Sequence, residues 1–269
     1  MQIRWLTAYL DFPAAQFGDE VTFWRAIAGS TVSPPRGDHR EFATLEPFNG
    51  DPHLRVQRVE SGSGGIHLDI HTDDPDAAAA EAVDLGATLV AEHDDPTTGR
   101  YLVLESPGGF PFCLVGWDGQ TTRSRPIRWP GDTISIIDQV CLDIPEPLFD
   151  RECSFWSALT GWDTAPTSRP ELVALRRNPA LALGILLQRK PSPDPQTERA
   201  TDTDGSGSAP AESKATAHLD LATNSVDDEV ARHTDWGATV VNRLPRWTVM
   251  SDPVGRRYCV TDRNPRTGE

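Results

Sequence analysis

Two His-x-Asp pairs are the residues of this 269-residue chain whose types and spacing best suit chemistry. His67 is followed by Asp69, and His218 is followed by Asp220. Alternate side chains of a β-strand lie on one face, so each imidazole is expected to share its face with a carboxylate. Such a carboxylate can hold the tautomer of the ring and raise its basicity, as general-base catalysis requires. The structural alternative is that Asp69 and Asp220 bond to the backbone or to a turn.

Two aromatic side chains are candidates for contacting a planar ligand. Tyr101 and Trp247 occupy equivalent positions in two expected strands, where a ring can form the wall of a pocket. Phe23-Trp24 and Phe155-Trp156 lie on expected helices and are interpreted as core residues. The sequence contains no GxGxxG, Walker, GxSxG or HExxH pattern, so no nucleotide-binding, hydrolase or zincin motif is indicated.

Composition excludes several classes of partner. A formal charge of −15 argues against nucleic-acid binding, because a polyanion would be repelled. No apolar run approaches the roughly 20 residues of a membrane span, and the N-terminal residues lack the apolar core of a signal peptide. The four cysteines form no CxxC pair, which favours reduced thiols. We therefore expect a cytoplasmic protein with neither a nucleic-acid nor a membrane partner.

The candidate residues lie within an internal repeat. Matching segments recur at offsets of 132, 151 and 146 residues: 10–13 with 142–145, 67–70 with 218–221, and 106–113 with 252–259. Recurrence of this kind predicts two copies of one domain, with insertions in surface loops where the offset changes. We assign the first domain to residues 1–117, a linker to 118–132 and the second domain to 133–264. Residues 190–213 have almost no apolar side chains and are expected to be a disordered loop.

Each copy is expected to contain two successive βαβββ units. In the second helix of the first copy, Asp74 can act as the N-cap with Pro75 at the first helical position. In the second copy, Ser225 with Asp228 has the spacing of a capping box. Gly86 and Gly237 are expected to end these helices.

The paired motifs LDFP/LDIP, FW, HLDI/HLDL and LGAT/WGAT resemble the glyoxalase-like domain of the vicinal oxygen chelate superfamily, in the form common in actinobacteria. That superfamily includes glyoxalase I, extradiol dioxygenases and bleomycin-resistance proteins. The resemblance implies an α+β fold of two tandem domains. Each domain would fold its two βαβββ units into a cup-shaped, mostly antiparallel sheet with helices outside and a ligand cavity inside.

The resemblance also implies where a metal ion would bind. The superfamily's ligand positions fall at Thr7, Gln57, His67 and Cys113 in the first copy, and at Gln139, Gln188, His218 and Cys259 in the second. Because Cys113 and Cys259 replace the last-strand carboxylate of the superfamily, we expect no metal and no other cofactor. If an ion binds, the expected ligands are Gln139, His218 and Cys259. Gln57 and Gln188 are then candidates for ligand binding.

The sequence therefore favours metal-independent binding or sequestration of a small organic molecule, in the manner of a resistance protein. One alternative is an enzyme of the lyase, isomerase or dioxygenase type, with a divalent metal in the second domain or with His67 and His218 as bases. Another is a non-catalytic interaction module with collapsed cups. The expected assembly is a monomer that forms an internal pseudo-dimer, or a homodimer.

Overall fold

The computed structural model describes residues 1–95, 99–191 and 214–268. The chain forms two sheets, one from each copy, and each sheet is built from two βαβββ units. At the centre of each sheet, the first strand of one βαβββ unit pairs antiparallel with the first strand of the other unit. Each of these central strands also pairs, in parallel, with the last strand of its own unit. The remaining neighbours are antiparallel, so the sheets are mixed and cup-like, as expected.

The first copy contains eight strands and two helices among the described residues. In chain order they are β1 (Trp5–Pro13), α1 (Phe17–Ile27), β2 (Ser30–Val32), β3 (Phe42–Pro47), β4 (Leu54–Val59), β5 (Gly65–Thr72), α2 (Pro75–Asp84), β6 (Thr88–Asp95), β7 (Gly99–Glu105) and β8 (Pro111–Gly116). The strand order in the sheet is β2-β3-β4-β1-β5-β8-β7-β6.

The second copy repeats this arrangement. Its elements are β10 (Ile134–Pro145), α3 (Phe149–Thr160), β11 (Thr164–Pro166), β12 (Leu172–Leu175), β13 (Gly184–Lys190), β14 (Thr216–Thr223), α4 (Val226–Asp235), β15 (Thr239–Arg243), β16 (Trp247–Ser251) and β17 (Arg257–Thr261). The order is β11-β12-β13-β10-β14-β17-β16-β15. The expected linker contributes a short strand, β9 (Ile127–Arg128), which pairs with β10. Of the expected loop, Lys190 ends β13 and Pro191 is described, but residues 192–213 lie outside the described residues.

The first helix of each copy packs against the other copy. Trp24 on α1 lies 5.3 Å from the ring of Tyr258 on β17, and Trp156 on α3 lies 5.4 Å from Phe112 on β8. Phe23 and Phe155 are buried in the same layers. The four aromatic residues are therefore core residues, as their position on helices suggested, and they join the two copies through apolar burial.

The helix termini follow the sequence signals in part. Asp74 Oδ1 accepts a hydrogen bond from the Ala77 amide at 3.0 Å, and Pro75 begins α2. The capping box expected at α4 is absent, because the Ser225 hydroxyl donates to the Asp228 carboxylate instead of accepting from the helix backbone. Asp228 also accepts from Thr133 at 3.1 Å, and this contact connects the start of α4 to the residue preceding β10. None of the described helices is long and apolar enough to cross a membrane.

Candidate functional site

Three adjacent strands align the titratable residues of the second copy. In the register, Asp220 on β14 is the partner of Gln139 on β10 and of Cys259 on β17. One pleat along, Cys141 on β10 is the partner of His218 on β14. These residues alternate with the buried Leu219 and Leu221 along β14, so the apolar core and the polar row lie on opposite faces of the sheet.

His218 lies between two carboxylates. Its Nδ1 is 2.7 Å from Oδ2 of Asp143 on β10, and its Nε2 is 3.4 Å from Oδ1 of Asp220. The first copy repeats the arrangement, with His67 Nδ1 2.7 Å from Asp11 and Nε2 3.7 Å from Asp69. The roles predicted for Asp69 and Asp220 remain predictions, but the shorter contact with each ring comes from a carboxylate that the sequence interpretation did not consider. This carboxylate is the aspartate of the LDFP/LDIP motif, which cross-strand pairing brings to Nδ1.

Burial and charge set the protonation of this cluster. Burial lowers the pKa of His218, but the Cys141 thiol and the carboxylates of Asp143 and Asp220 oppose it, and the net pKa is well above the usual value. Burial raises the pKa of Cys141 to about 12, against the opposing effect of His218. The pocket therefore holds a proton on the thiol and on the imidazole, and the imidazolium is the cation between the two carboxylates.

The second cup encloses an open cavity of about 340 Å³. His218, Asp220, Gln139, Gln188 and Trp247 all line it, as do Cys141 and Cys259. Arg169 and Arg246 line its exposed mouth and Arg263 lies deeper, and each of the three pairs with a carboxylate, namely Glu171, Asp262 and Asp138. This volume and this mixture of apolar wall and convergent polar groups are those of a small-molecule site.

The first cup differs at two positions. Tyr9 occupies the place of Cys141 and stacks on the ring of His67, with ring centroids 4.7 Å apart. Arg55 occupies the place of Leu186, donates to the Tyr9 hydroxyl at 3.3 Å and lies 4.0 Å from Asp69. A guanidinium therefore already neutralises the carboxylate of this cup, and an aromatic ring covers its imidazole.

The other candidates of the first copy lie apart from this cluster or at its edge. Tyr101 stacks on His93 with centroids 4.5 Å apart. Gln57 on β4 is the register partner of Asp11. Cys113 is buried next to Asp69, and Thr7 bonds to His71 at 3.0 Å. The roles predicted for these side chains remain predictions.

Sequence reasoning missed Asp11, Asp143, Arg55 and Cys141 as members of the two clusters. One signal was available for the last of these. Position 9 and position 141 are equivalent in the repeat, and the Tyr-to-Cys difference there marks both as neighbours of the histidine. The pairing of Asp143 with His218 depends on a register across 75 residues, which no local pattern encodes.

The chain belongs to the glyoxalase-like domain family, whose model matches residues 7–115 and 139–261. A comparison with curated protein sequences finds no match.

Solved structures share the fold at low identity. The Mn(II)-bound glyoxalase from Novosphingobium aromaticivorans is 18% identical, with a TM-score of 0.64 over 97% of this chain and 81% of that chain. The 2,2',3-trihydroxybiphenyl 1,2-dioxygenase from Sphingomonas wittichii strain RW1 is 15% identical, with a TM-score of 0.58 over 97% and 89%. A 4-hydroxymandelate synthase mutant from Streptomyces coelicolor is 14% identical, with a TM-score of 0.60 over 100% and 94%.

The expectation of a protein without a metal or other cofactor is corrected by these findings. The sequence interpretation looked for a carboxylate on the last strand, but the structure supplies one from β14. His67, Asp69 and Cys113 form one group of ligand atoms within 4.8 Å of one another, and Cys141, His218 and Asp220 form another. A similar structure is bound to Mn(II).

The second-cup group fits a divalent ion. His218 donates Nδ1–H to Asp143, and its Nε2 lies 3.4 Å from the Asp220 oxygen, so Nε2 would become a ligand once a divalent ion displaced its proton. Two acceptors at that spacing suit ligands of one ion held at about 2 Å from each. A third donor from Cys141 leaves the cavity side for a substrate, as catalytic sites require. The group of the first cup is less suited to a divalent ion, because the Arg55 guanidinium already lies 4.0 Å from the Asp69 carboxylate.

Proposed function

We propose that this protein is a metal-dependent enzyme of the lyase or isomerase type that acts in the second cup on a small oxygen-bearing organic molecule. The observation that carries the proposal is the group Cys141, His218 and Asp220 beside the open cavity of about 340 Å³. Bound there, a divalent ion would polarise a substrate oxygen as a Lewis acid.

The residues of the chain prepare the site for this chemistry. Asp143 accepts from Nδ1 of His218 and so directs Nε2 into the cup. Burial raises the pKa of Asp143, but the hydrogen bond from His218 and the nearby Lys190 lower it overall, so this carboxylate stays charged. The amides of Gln139 and Gln188 line the cavity and can orient a substrate by hydrogen bonds.

The thiols favour a lyase or isomerase over a dioxygenase. Cys141 and Cys259 both line the cavity. Thiolate ligands favour zinc, which has no redox chemistry, and a thiol at an oxygen-activating centre is open to oxidation. The free cysteines also fit a reducing compartment such as the cytoplasm.

The test is turnover after reconstitution with Zn²⁺, Mn²⁺ or Fe²⁺, against a panel of 2-oxoaldehydes, hydroxyphenyl acids and catechols. We expect conversion by the metal-loaded protein without dioxygen uptake, and loss of conversion after chelation and in His218→Ala. Equal conversion by chelated protein would overturn the proposal. Dioxygen uptake would favour the dioxygenase alternative.

Binding without turnover, as in a resistance protein, is the second alternative. It predicts compounds that raise Tm in a thermal-shift screen while none is converted. The interaction-module alternative required collapsed cups, and the open cavity of the second cup speaks against it.

A further inference from the structure

A second cavity, of about 790 Å³, lies where the two copies meet and adjoins the second cup at His218, which lines both cavities. The first copy contributes Leu10, Trp24 and the turn at residues 63–66 to its wall, and the second copy contributes the start of β14. Arg169, Arg246 and Trp247, which line the second cup, do not line this junction cavity. Its volume is within the range of small-molecule sites.

The charge of the junction cavity is opposite to that of the protein. The chain has a formal charge of −15 and only two lysines, and both of them, Lys190 and Lys214, line this cavity. Arg256 and Arg257 line it as well, whereas Asp143 is the one carboxylate among its described lining residues. Four cations against one carboxylate make this a site of positive potential on an acidic molecule.

The two ammonium groups are available to a ligand. Lys190 Nζ lies 3.0 Å from Asp143, and Lys214 Nζ lies 2.7 Å from Glu105. The lysine side chains are 47% and 62% exposed, and ion pairs at such exposure contribute little to stability. Either ammonium can therefore turn to a bound anion at small cost.

Much of the rest of the wall is apolar. Apolar surface comes from both copies, namely from Leu10 and Trp24 and from Pro145, Leu148 and Ala217. Arg256 is held in place by donating to the carbonyls of Ser63 and Gly65, at 2.8 and 3.0 Å. An apolar wall with ammonium groups at one side suits an amphipathic ligand, because each part of it finds a matching surface.

We infer that the junction cavity is a second binding site, which takes a small organic anion with an apolar body. The anionic head lies between Lys190 and Lys214, and the apolar body lies against Trp24 and Leu148. The described lining of this site shares His218 with the second cup, and the inference does not depend on the proposed enzymatic function.

Isothermal titration of the full chain with sodium octanoate tests this inference, with 1-octanol as the neutral probe of equal length. Octanoate is expected to bind, and 1-octanol at least about tenfold more weakly, because a charge-assisted contact is lost. The double variant Lys190→Met/Lys214→Met is expected to weaken octanoate binding by about tenfold or more. If the double variant does not fold, the single variant Lys214→Met replaces it in the titration, because the Lys214 side chain is exposed.

Arg246→Met is the matched control, because it removes a cation from the mouth of the second cup and leaves the junction cavity intact. Octanoate affinity is expected to stay within about twofold of the unaltered protein in this variant. The inference is overturned if octanoate does not bind at millimolar concentration, or if 1-octanol binds equally well. It is also overturned if the lysine variants bind unchanged, or if Arg246→Met weakens binding as much as they do.

Discussion

Two carboxylates flank the imidazole in each cup, and the two cups differ in the neighbouring residues Cys141 and Leu186, which are Tyr9 and Arg55 in the first copy. Asp143 fixes the Nδ1 side of the ring, and Asp220 with Cys141 surrounds the Nε2 side. In the first cup the position of Cys141 is held by Tyr9, whose ring covers His67. The two imidazoles are about equally buried, with side chains 13% and 11% exposed, but the ring of Tyr9 stacks on His67 whereas a thiol occupies the equivalent position beside His218.

Asp143→Asn tests the role of the carboxylate at Nδ1. The amide keeps the size of the side chain but removes the charge that holds the tautomer, so metal affinity should fall by roughly 10- to 100-fold. Competition with a coloured chelator measures this affinity. Asp11→Asn makes the same change in the first cup and should leave the affinity unaltered. Equal losses in the two variants would contradict the assignment of the ion to the second cup.

At the scale of elements, α1 and α3 make equivalent contacts with one chemical difference. Glu152 on α3 accepts from the Ser106 hydroxyl, the Gly108 amide and the Trp156 indole. The equivalent Glu20 on α1 meets Asp252 instead of a serine, and Trp24 donates to both carboxyls at 3.0 and 3.3 Å. Glu20 is 0% exposed and Asp252 is 3% exposed, so the two carboxyls must share a proton.

This carboxyl pair predicts a pH dependence of stability. The pKa of Glu20 is raised from 4.5 to about 8. Burial is the largest cause, followed by the hydrogen bond with Asp252 and by the negative charge of Asp252. A raised carboxyl pKa stabilises the folded state through the bound proton, so the contribution is complete below pH 4.5 and is lost as the pH rises toward 8. We expect Tm to fall over this interval by an amount on the order of 5 °C from this pair.

Asp252→Ser recreates the contact of the other copy and is the matched variant. Its Tm should fall less between pH 5 and pH 8.5 than that of the unaltered protein, because Glu20 then has a neutral partner. Thermal unfolding followed by circular dichroism at several pH values measures the difference. If Tm falls equally with pH in the two proteins, the Glu20–Asp252 pair does not cause the pH dependence.

The elements were largely predictable from the sequence, whereas the site was predictable only in part. Local patterns such as the helix start at Asp74 and the repeated HLD strands predicted the βαβββ order correctly. The capping box at Ser225 was wrong because the Ser225 hydroxyl donates to Asp228 instead of accepting from the helix backbone, and the same carboxylate also accepts from Thr133, which is distant in sequence. Likewise the ligand group of the second cup depends on the register between β10 and β14, and pairing across so many residues leaves no local signal.

At the scale of the whole molecule, the two copies depend on each other for burial. Phe23 and Trp24 of the first copy pack near Tyr258, and Phe155 and Trp156 of the second copy pack near Phe112. A separated copy would expose its two helix aromatics, at a cost of roughly 1.5–3 kcal/mol for each side chain.

Residues 1–117 expressed alone should therefore not form a stable monomer. Co-expression with residues 118–269 should instead give a 1:1 complex, because each half supplies the partner surface of the other. Size-exclusion chromatography with light scattering distinguishes these states. A monomeric 1–117 fragment with the Tm of the intact chain would mean that the contacts between copies contribute little.

Metal content per chain tests the central claim most directly. After reconstitution with Zn²⁺ and removal of excess ion, elemental analysis should find about one ion per chain in the unaltered protein and in His67→Ala. His218→Ala should retain almost none, since the second cup then lacks its imidazole ligand. A protein that retains no ion, or that loses it in His67→Ala and keeps it in His218→Ala, would contradict a metal site in the second cup.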